Sequence, residues 1–457
     1  MDKIQLLQER KAKLVAAGKQ IREDIAAIVD EDSFVELSAF SFSKNEFYSE
    51  EIAGEGVITG FATLDGYPFY IVGQNFSVQH GGLSEAHCNK IVKCLQAAEK
   101  NNAPVIYLLN SQGLQIGEGV SALEGMGKLF KQCSSLNGRV RQYAIVNGEV
   151  YGSSALLAAI ADFAILVEKK SVLAVNSPFV LSAKSGKNLD KEAVGGVKAL
   201  DKTGISSVVV SDLSAAREAI LSLSSILNEK VVDSELNAHL PALNEAATAE
   251  NLLQIFDEAV EINKGVDDSI KTVIGRIGGI SVAALIFDGK EKGVELNAKN
   301  MARIKDFLTL AYLFEIPFVT FVDTLGIEPT LCANNSRVLM ETAEYANLLD
   351  LMETANIPKL SVVYKKAIGL GYSLFASKSA GFDYACAFAN AKIALFDGVQ
   401  GAKIEFSGEG ADETALAQRY AEENSDPIHA AKNGYIDAII EPQFVKQYLI
   451  SALQMLI

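Results

Sequence analysis

One pattern returns about 215 residues after its first appearance, and it constrains this chain more than any other feature. The segment GVITGFATLDGYPFYIVG (56–73) alternates apolar and polar residues on both sides of Asp65-Gly66. An Asp-Gly pair between two such runs predicts a β-hairpin, because the tight turn needs positive φ. TVIGRIGGISVAALIF (272–287) repeats the plan around Gly278-Gly279. Each hairpin is followed by a stretch of helical period, 84–100 and then 298–314. In the first, Ser84 is a candidate N-cap and Cys88, Ile91, Val92, Leu95 and Ala98 share one face. In the second, Met301, Ile304, Leu308 and Tyr312 form a comparable face.

Each helix then leads into an apolar strand and a glycine. APVIYLLNSQG (103–113) matches IPFVTFVDTLG (316–326), and QYAIVNGEVYGSSA (142–155) matches KLSVVYKKAIGLGY (359–372). The pairs Gly60/Gly275, Pro104/Pro317, Gly113/Gly326 and Gly152/Gly369 keep one order at offsets of 213 to 217 residues. Internal similarity of this kind means a duplicated unit. The chain therefore reads as two α/β domains, 1–235 and 236–457, joined by a polar Ala/Glu/Asn-rich stretch near 228–251. Alternating strands and helices with short connections imply βα crossovers. Where an apolar strand ends in glycine, the next backbone N–H groups are free to bind an anion.

Composition narrows the ligands. With 41 Lys+Arg against 57 Asp+Glu the formal charge is −16, which excludes general nucleic-acid binding, since a phosphate backbone needs a basic face. An anionic small molecule needs only local amides and a few lysines. Five cysteines (88, 94, 133, 332 and 386) include no CxxC pair, so neither a disulfide framework nor a zinc ribbon is expected. No other cluster has metal-ligand spacing, and no metal is expected. The opening residues mix charge with apolar residues at helical spacing, unlike a signal peptide. The most apolar stretch, 150–167, carries Asp162 and reads as buried core. These features point to a soluble, cytoplasmic protein.

Several side chains invite a chemical role, each with a plainer alternative. His80 and His87 flank Gly81-Gly82, and His87, near a helix start, reads as structural. Ser153 and Ser154 follow Gly152 as a nucleophile might at a tight turn, but such chemistry needs a His and an orienting carboxylate that no spacing singles out. Glu118 reads as a solvated loop carboxylate. Lys365-Lys366 stand ready for a phosphate or carboxylate, or are ordinary strand-end lysines. Gly152 and Gly369 either present amides or simply allow a sharp strand–helix turn.

The residues Gly60, GQNFSVQHGGLSEAHCNKI (73–91), APVIYLLNSQGLQIGEG (103–119), NGEVYGSSA (147–155), IPFVTFVDTLG and IPKLSVVYKKAIGLGY (357–372) resemble the carboxyltransferase subunits of biotin-dependent acyl-CoA carboxylases. The propionyl-CoA carboxylase β chain and the methylmalonyl-CoA decarboxylase α chain are of this kind. The resemblance runs in order from about Asp30 to about Phe406. It implies two tandem crotonase/ClpP-like (ββα spiral) domains, an N-terminal acyl-CoA half and a C-terminal biotin half. It also implies a homo-oligomer, a hexamer or dimer, with sites between the N-half of one chain and the C-half of another.

The implied reaction moves a carboxyl group between carboxybiotin and a short acyl-CoA, through an enolate held by backbone oxyanion holes. By position, the amides of Gly152 and Ser153 would hold the thioester oxygen and those of Leu370 and Gly371 the biotin ureido oxygen. Gly113, Ser154, Gly326, Gly369 and Ser373 would line the substrate site, Ser373 at a position tied to acyl-chain selection. The chain departs from the family at Gln112-Gly113-Leu114-Gln115, where an arginine is missing. It departs again at Leu325-Gly326-Ile327-Glu328-Pro329 and over 333–349. It has neither a biotin-attachment lysine between methionines nor a Walker motif. Biotin would therefore ride on a separate subunit, with a biotin carboxylase or decarboxylase subunit as further partner. Alternatives are the decarboxylase direction, a scaffold that binds acyl-CoA without the biotin step, and a biotin-independent hydratase or hydrolase.

Overall fold

A computed structural model describes residues 2–41, 52–228, 239–328, 335–406 and 412–457. Part of the polar stretch between the repeats, Cys332 and Pro329 lie outside these residues. The chain divides into two units, Met1–Ser222 and Leu223–Ile457.

In the first unit the strands are β1 (Val35–Leu37), β2 (Val57–Leu64), β3 (Tyr67–Gln74), β4 (Val105–Ser111), β5 (Gln142–Tyr151), β6 (Phe163–Val167), β7 (Val172–Ala174) and β8 (Val208–Val210). They form one sheet in the order β1-β2-β3-β4-β5-β6-β8, with β7 on β5. β1, β2 and β3 are antiparallel, and every pairing from β3 onward is parallel. The helices used below are α1 (Lys3–Ala17), α2 (Lys19–Ala26), α3 (Glu85–Asn101), α4 (Val120–Leu136), α5 (Ser153–Ile160) and α6 (Pro178–Ser185). As the 3.6-residue period predicts, α3 buries Cys88, Ile91, Cys94, Leu95 and Ala98 together, and the Ser84 hydroxyl accepts from the His87 amide at 2.9 Å. Each large apolar side chain in such a face contributes about 1.5–3 kcal/mol.

The second unit repeats this wiring. Its strands are β9 (Glu258–Ile262), β10 (Ile270–Ile277), β11 (Ile280–Phe287), β12 (Val294–Leu296), β13 (Phe318–Ile327), β14 (Lys359–Ile368), β15 (Tyr384–Phe388), β16 (Lys392–Ala394) and β17 (Ala438–Ile440). The order is β9-β10-β11-β13-β14-β15-β17, with β12 on β13 and β16 on β14. Both expected hairpins form: Leu64 pairs with Tyr67 across Asp65-Gly66, and Ile277 with Ile280 across Gly278-Gly279, all four turn residues having positive φ.

Two details recur that the pattern alone did not predict. Gly60 and Gly275 sit in mid-strand because the edge strand crosses there. A Cβ at Gly60 would stand 2.3 Å from the Val35 carbonyl oxygen and 2.6 Å from the Phe34 ring. At Gly275 it would stand 2.7 Å from both the Glu258 oxygen and the Phe256 ring. A single carboxylate also braces each hairpin turn. Asp30 accepts from the Asp65 and Gly66 amides at 2.9 Å each, from the Thr63 hydroxyl at 2.7 Å and from Arg217 at 2.5 Å. Asp257 accepts from the Gly279 amide at 2.8 Å and from Lys446 at 2.6 Å.

Partial desolvation works against the Asp30 charge. The Gly66 amide, Thr63, the Asp65 amide and Arg217 outweigh it and hold the carboxyl down at about 2. A carboxyl depressed in the folded state contributes stability above its unfolded pKa near 4 and loses it as pH falls through about 2. Allowing for solvent screening, the Asp30 contribution is about 1–2 kcal/mol. Asp30→Ala should therefore lower the urea-unfolding free energy at pH 7, with the gap to wild type narrowing below pH 4. A gap that stays constant across that range would remove the charge from the account.

Candidate functional site

In each unit a ten-residue parallel strand ends in a glycine bend. β5 runs through Tyr151 into Gly152 (φ 61°, ψ −136°) and then into α5; β14 runs through Ile368 into Gly369 (φ 55°, ψ −133°) and then into the helix Leu370–Phe375. This conformation mirrors an extended residue and suits glycine alone. The neighbouring strand ends in a matching way. Ser111 Oγ accepts from the Gly113 amide, and Thr324 Oγ1 from the Gly326 amide, both at 3.1 Å. A register shift precedes each, between Leu109 and Ser111 and between Val322 and Thr324. A Cβ at Gly152 would lie 3.6 Å from Gly113 Cα; one at Gly371 would lie 3.4 Å from Gly326 Cα and 2.4 Å from Thr324 Cγ2.

Of the amides singled out in the sequence, that of Gly152 donates to the Ala174 carbonyl at 3.1 Å, and Gly369 donates in the same way to Ala394 at 2.9 Å. The first amides of the following helices belong to Ser153 and Ser154 in one unit and to Leu370 and Gly371 in the other. A helix leaves its first N–H groups without intrahelical acceptors. None of these four has an acceptor among the described residues. Each turn is thus a small nest of donors with glycine at its base, suited to one oxygen carrying negative charge. Ser373 is half-buried on the helix Leu370–Phe375.

Ser154 is fully buried, and its hydroxyl is tied to the Gln74 side chain at 2.9 Å. Gln74 Oε1 also accepts from the Asn110 amide at 3.0 Å, so one side chain joins β3, β4 and the start of α5. Gln74 lies inside the GQN run that carries the family resemblance, yet no spacing rule marks it; only its 1% exposure does. Among the described residues no histidine bonds either serine. His80 is exposed and packs edge-on against Phe76, and Lys365 and Lys366 donate to the Lys290 and Lys292 carbonyls at 2.7 and 2.6 Å. Glu118 departs from expectation. Rather than a solvated loop carboxylate, it is 5% exposed and accepts from the Glu85 amide at 2.8 Å, capping the positive end of α3.

His87 is structural, as expected. Its Nδ1 lies 2.9 Å from the Glu55 carbonyl oxygen, and the ring is wholly buried. Burial drives its pKa down to about 3, with Lys90 adding to the effect and the Glu55 bond opposing it. The fold therefore favours the neutral ring. That stability is present above the unfolded pKa near 6.5 and is lost as pH falls toward 3, at up to about 1.4 kcal/mol per pH unit. Between pH 6 and 4, His87→Gln should flatten the fall of unfolding free energy with pH. An unchanged slope would assign the acid limb to other groups.

Beside the first turn lies a cavity of about 510 Å³, lined in part by Gln112, Glu149, Tyr151, Phe179 and Lys191. Glu149 accepts from Lys191 Nζ at 2.9 Å and from the Tyr151 hydroxyl at 3.2 Å. Burial works against the Glu149 charge, but Lys191, Tyr151 and Gln112 outweigh it and hold the carboxyl below its ordinary range. Burial, and then Glu149, keep the Tyr151 phenol above its own range, so it stays a neutral donor.

Comparison with known proteins gives a consistent result. The carboxyl transferase domain model matches residues 15–457. The methylmalonyl-CoA decarboxylase subunit alpha of Veillonella parvula is 29% identical over 496 residues, spanning 100% of this chain and 96% of that protein. The propionyl-CoA carboxylase beta chain of Cereibacter sphaeroides is 28% identical over 468 residues, spanning 96% and 90%. Among solved structures, transcarboxylase 12S, a hexamer with methylmalonyl-coenzyme A and methylmalonic acid bound, superposes with a TM-score of 0.87 at 25% identity. That match covers 99% of this chain and 94% of the other.

Proposed function

The chain belongs to the carboxyl transferase domain family, and from that premise we propose that it moves a carboxyl group between biotin held on a separate subunit and a short acyl-CoA. The observation that carries this reading is the duplicated turn: two glycine bends of the same conformation, each followed by helix amides without acceptors among the described residues. A reaction that develops charge on a thioester oxygen and also needs a ureido oxygen polarised requires two such nests.

The open amides at Ser153 and Ser154 would take the thioester oxygen as the enolate forms. Preorganised donors of this kind cost no reorganisation at the moment of reaction. The Leu370 and Gly371 amides fit a ureido oxygen, a strong single acceptor. Biotin, when presented by its carrier, supplies the nitrogen that bears the carboxyl group. Gly113 and Gly326, with their own amides engaged by Ser111 and Thr324, keep side chains away from the two turns.

The relatives include both a decarboxylase subunit and a carboxylase chain, and the same pair of nests serves either direction. A cytoplasmic hexamer, after the transcarboxylase 12S assembly, completes the proposal; no helix of the described residues is long and apolar enough to cross a membrane. The test follows the label of carboxyl-labelled methylmalonyl- or malonyl-CoA in the presence of free biotin. Label recovered on biotin is the expected result. Thioester hydrolysis or hydration without any labelled biotin would contradict the reading. A fully active monomer in light scattering would remove the assembly.

A further inference from the structure

The two units share their turn but not what surrounds it. Tyr151, Glu149 and Gln112 precede the first pair of glycines, and Ile368, Lys366 and Leu325 stand at the matching positions of the second. The bends nevertheless agree within a few degrees, 61° and −136° against 55° and −133°. The hydrogen-bonded cluster of the first unit is therefore not needed to build the turn.

The ring at the centre of the cluster is also enclosed. Tyr151 is only 2% exposed although it lines the cavity. Its hydroxyl is held by Glu149, and Glu149 in turn by Lys191. Tyr151 and Gln112 are the immediate chain neighbours of Gly152 and Gly113, so the cavity they line adjoins the turn that would receive a thioester oxygen. A ring clamped in this way cannot swing aside for a longer chain.

We propose that Tyr151, held by the Glu149–Lys191 pair, is the wall that restricts the first unit to thioesters of short acyl groups. This rests on the function proposed above and adds to it a residue that sets specificity. Opening the wall should let added methylenes find apolar contact, worth about fourfold in affinity for each one buried.

The experiment compares the dissociation constants of acetyl-, butyryl- and hexanoyl-CoA by calorimetry, using the full chain and the variants Tyr151→Phe, Tyr151→Ile and Tyr151→Ala. Isoleucine is the residue the second unit carries at this position, so the fold tolerates it in the same bend. Wild type should bind hexanoyl-CoA no more tightly than acetyl-CoA, and Tyr151→Phe, whose ring is no longer held by Glu149, should fall between wild type and Tyr151→Ala. Tyr151→Ile and Tyr151→Ala should reverse that order by at least tenfold. The same chain-length order in wild type and Tyr151→Ile would overturn the inference and leave the carboxyl-transfer reading intact. A wild-type chain that bound none of the three thioesters would overturn both.

Discussion

Ser153→Pro should lower kcat/KM for carboxyl transfer by about 10²–10³, the usual effect of deleting one oxyanion donor, without unfolding the protein. The substitution is selective because of where Ser153 stands. It is the first residue of α5, after the Gly152 N-cap, and proline is accommodated at that position because its missing N–H has no intrahelical acceptor to lose. Gly152 (φ 61°, ψ −136°) lies away from the α region that a following proline ring excludes. The change therefore removes the amide and the Ser153 hydroxyl and little else. Ser153→Ala removes only the hydroxyl and should stay within a few-fold of wild type. Equal losses in the two variants would move the effect from the amide to the side chain.

Leu370→Pro is the corresponding deletion in the second unit and should cost a similar 10²–10³ in transfer to biotin. Leu370 is 52% exposed and begins the helix Leu370–Phe375, so no core packing is lost with it. The two variants should differ in a second measurement. Ser153→Pro changes the nest proposed for the thioester, whereas Leu370→Pro should leave CoA-thioester affinity at the wild-type value while turnover falls. Loss of thioester affinity in Leu370→Pro with biotin affinity preserved would exchange the roles assigned to the two units.

The duplication, the hairpins and the strand–glycine–helix bends were legible because each has a local signature: alternation, a positive-φ turn pair, a helical period. The bracing of the hairpins was not. Asp30 and Asp257 reach turns 35 and 22 residues away in sequence, and their cations, Arg217 and Lys446, are more distant still. Nothing local marks a carboxylate for that task. Glu118 reads as solvated because its neighbours, two glycines and an isoleucine, look like an exposed loop, and only tertiary structure places it under the start of α3. The state of the Gly152 amide was likewise invisible: the Ala174 carbonyl that accepts from it arrives on β7, more than 20 residues later. Gln74 and Tyr151 carry no signal for the opposite reason, since a polar residue at a strand end and a tyrosine in an apolar strand are both ordinary in sequence.

The central claim is that the two turns act together on one carboxyl group. The measurement that addresses it most directly is the consumption of methylmalonyl-CoA by the wild-type protein at increasing free biotin, with propionyl-CoA followed as product. The rate should be negligible without biotin and rise to saturation with it. Consumption at the same rate with and without biotin, or binding of the thioester with no consumption at any biotin concentration, would contradict it.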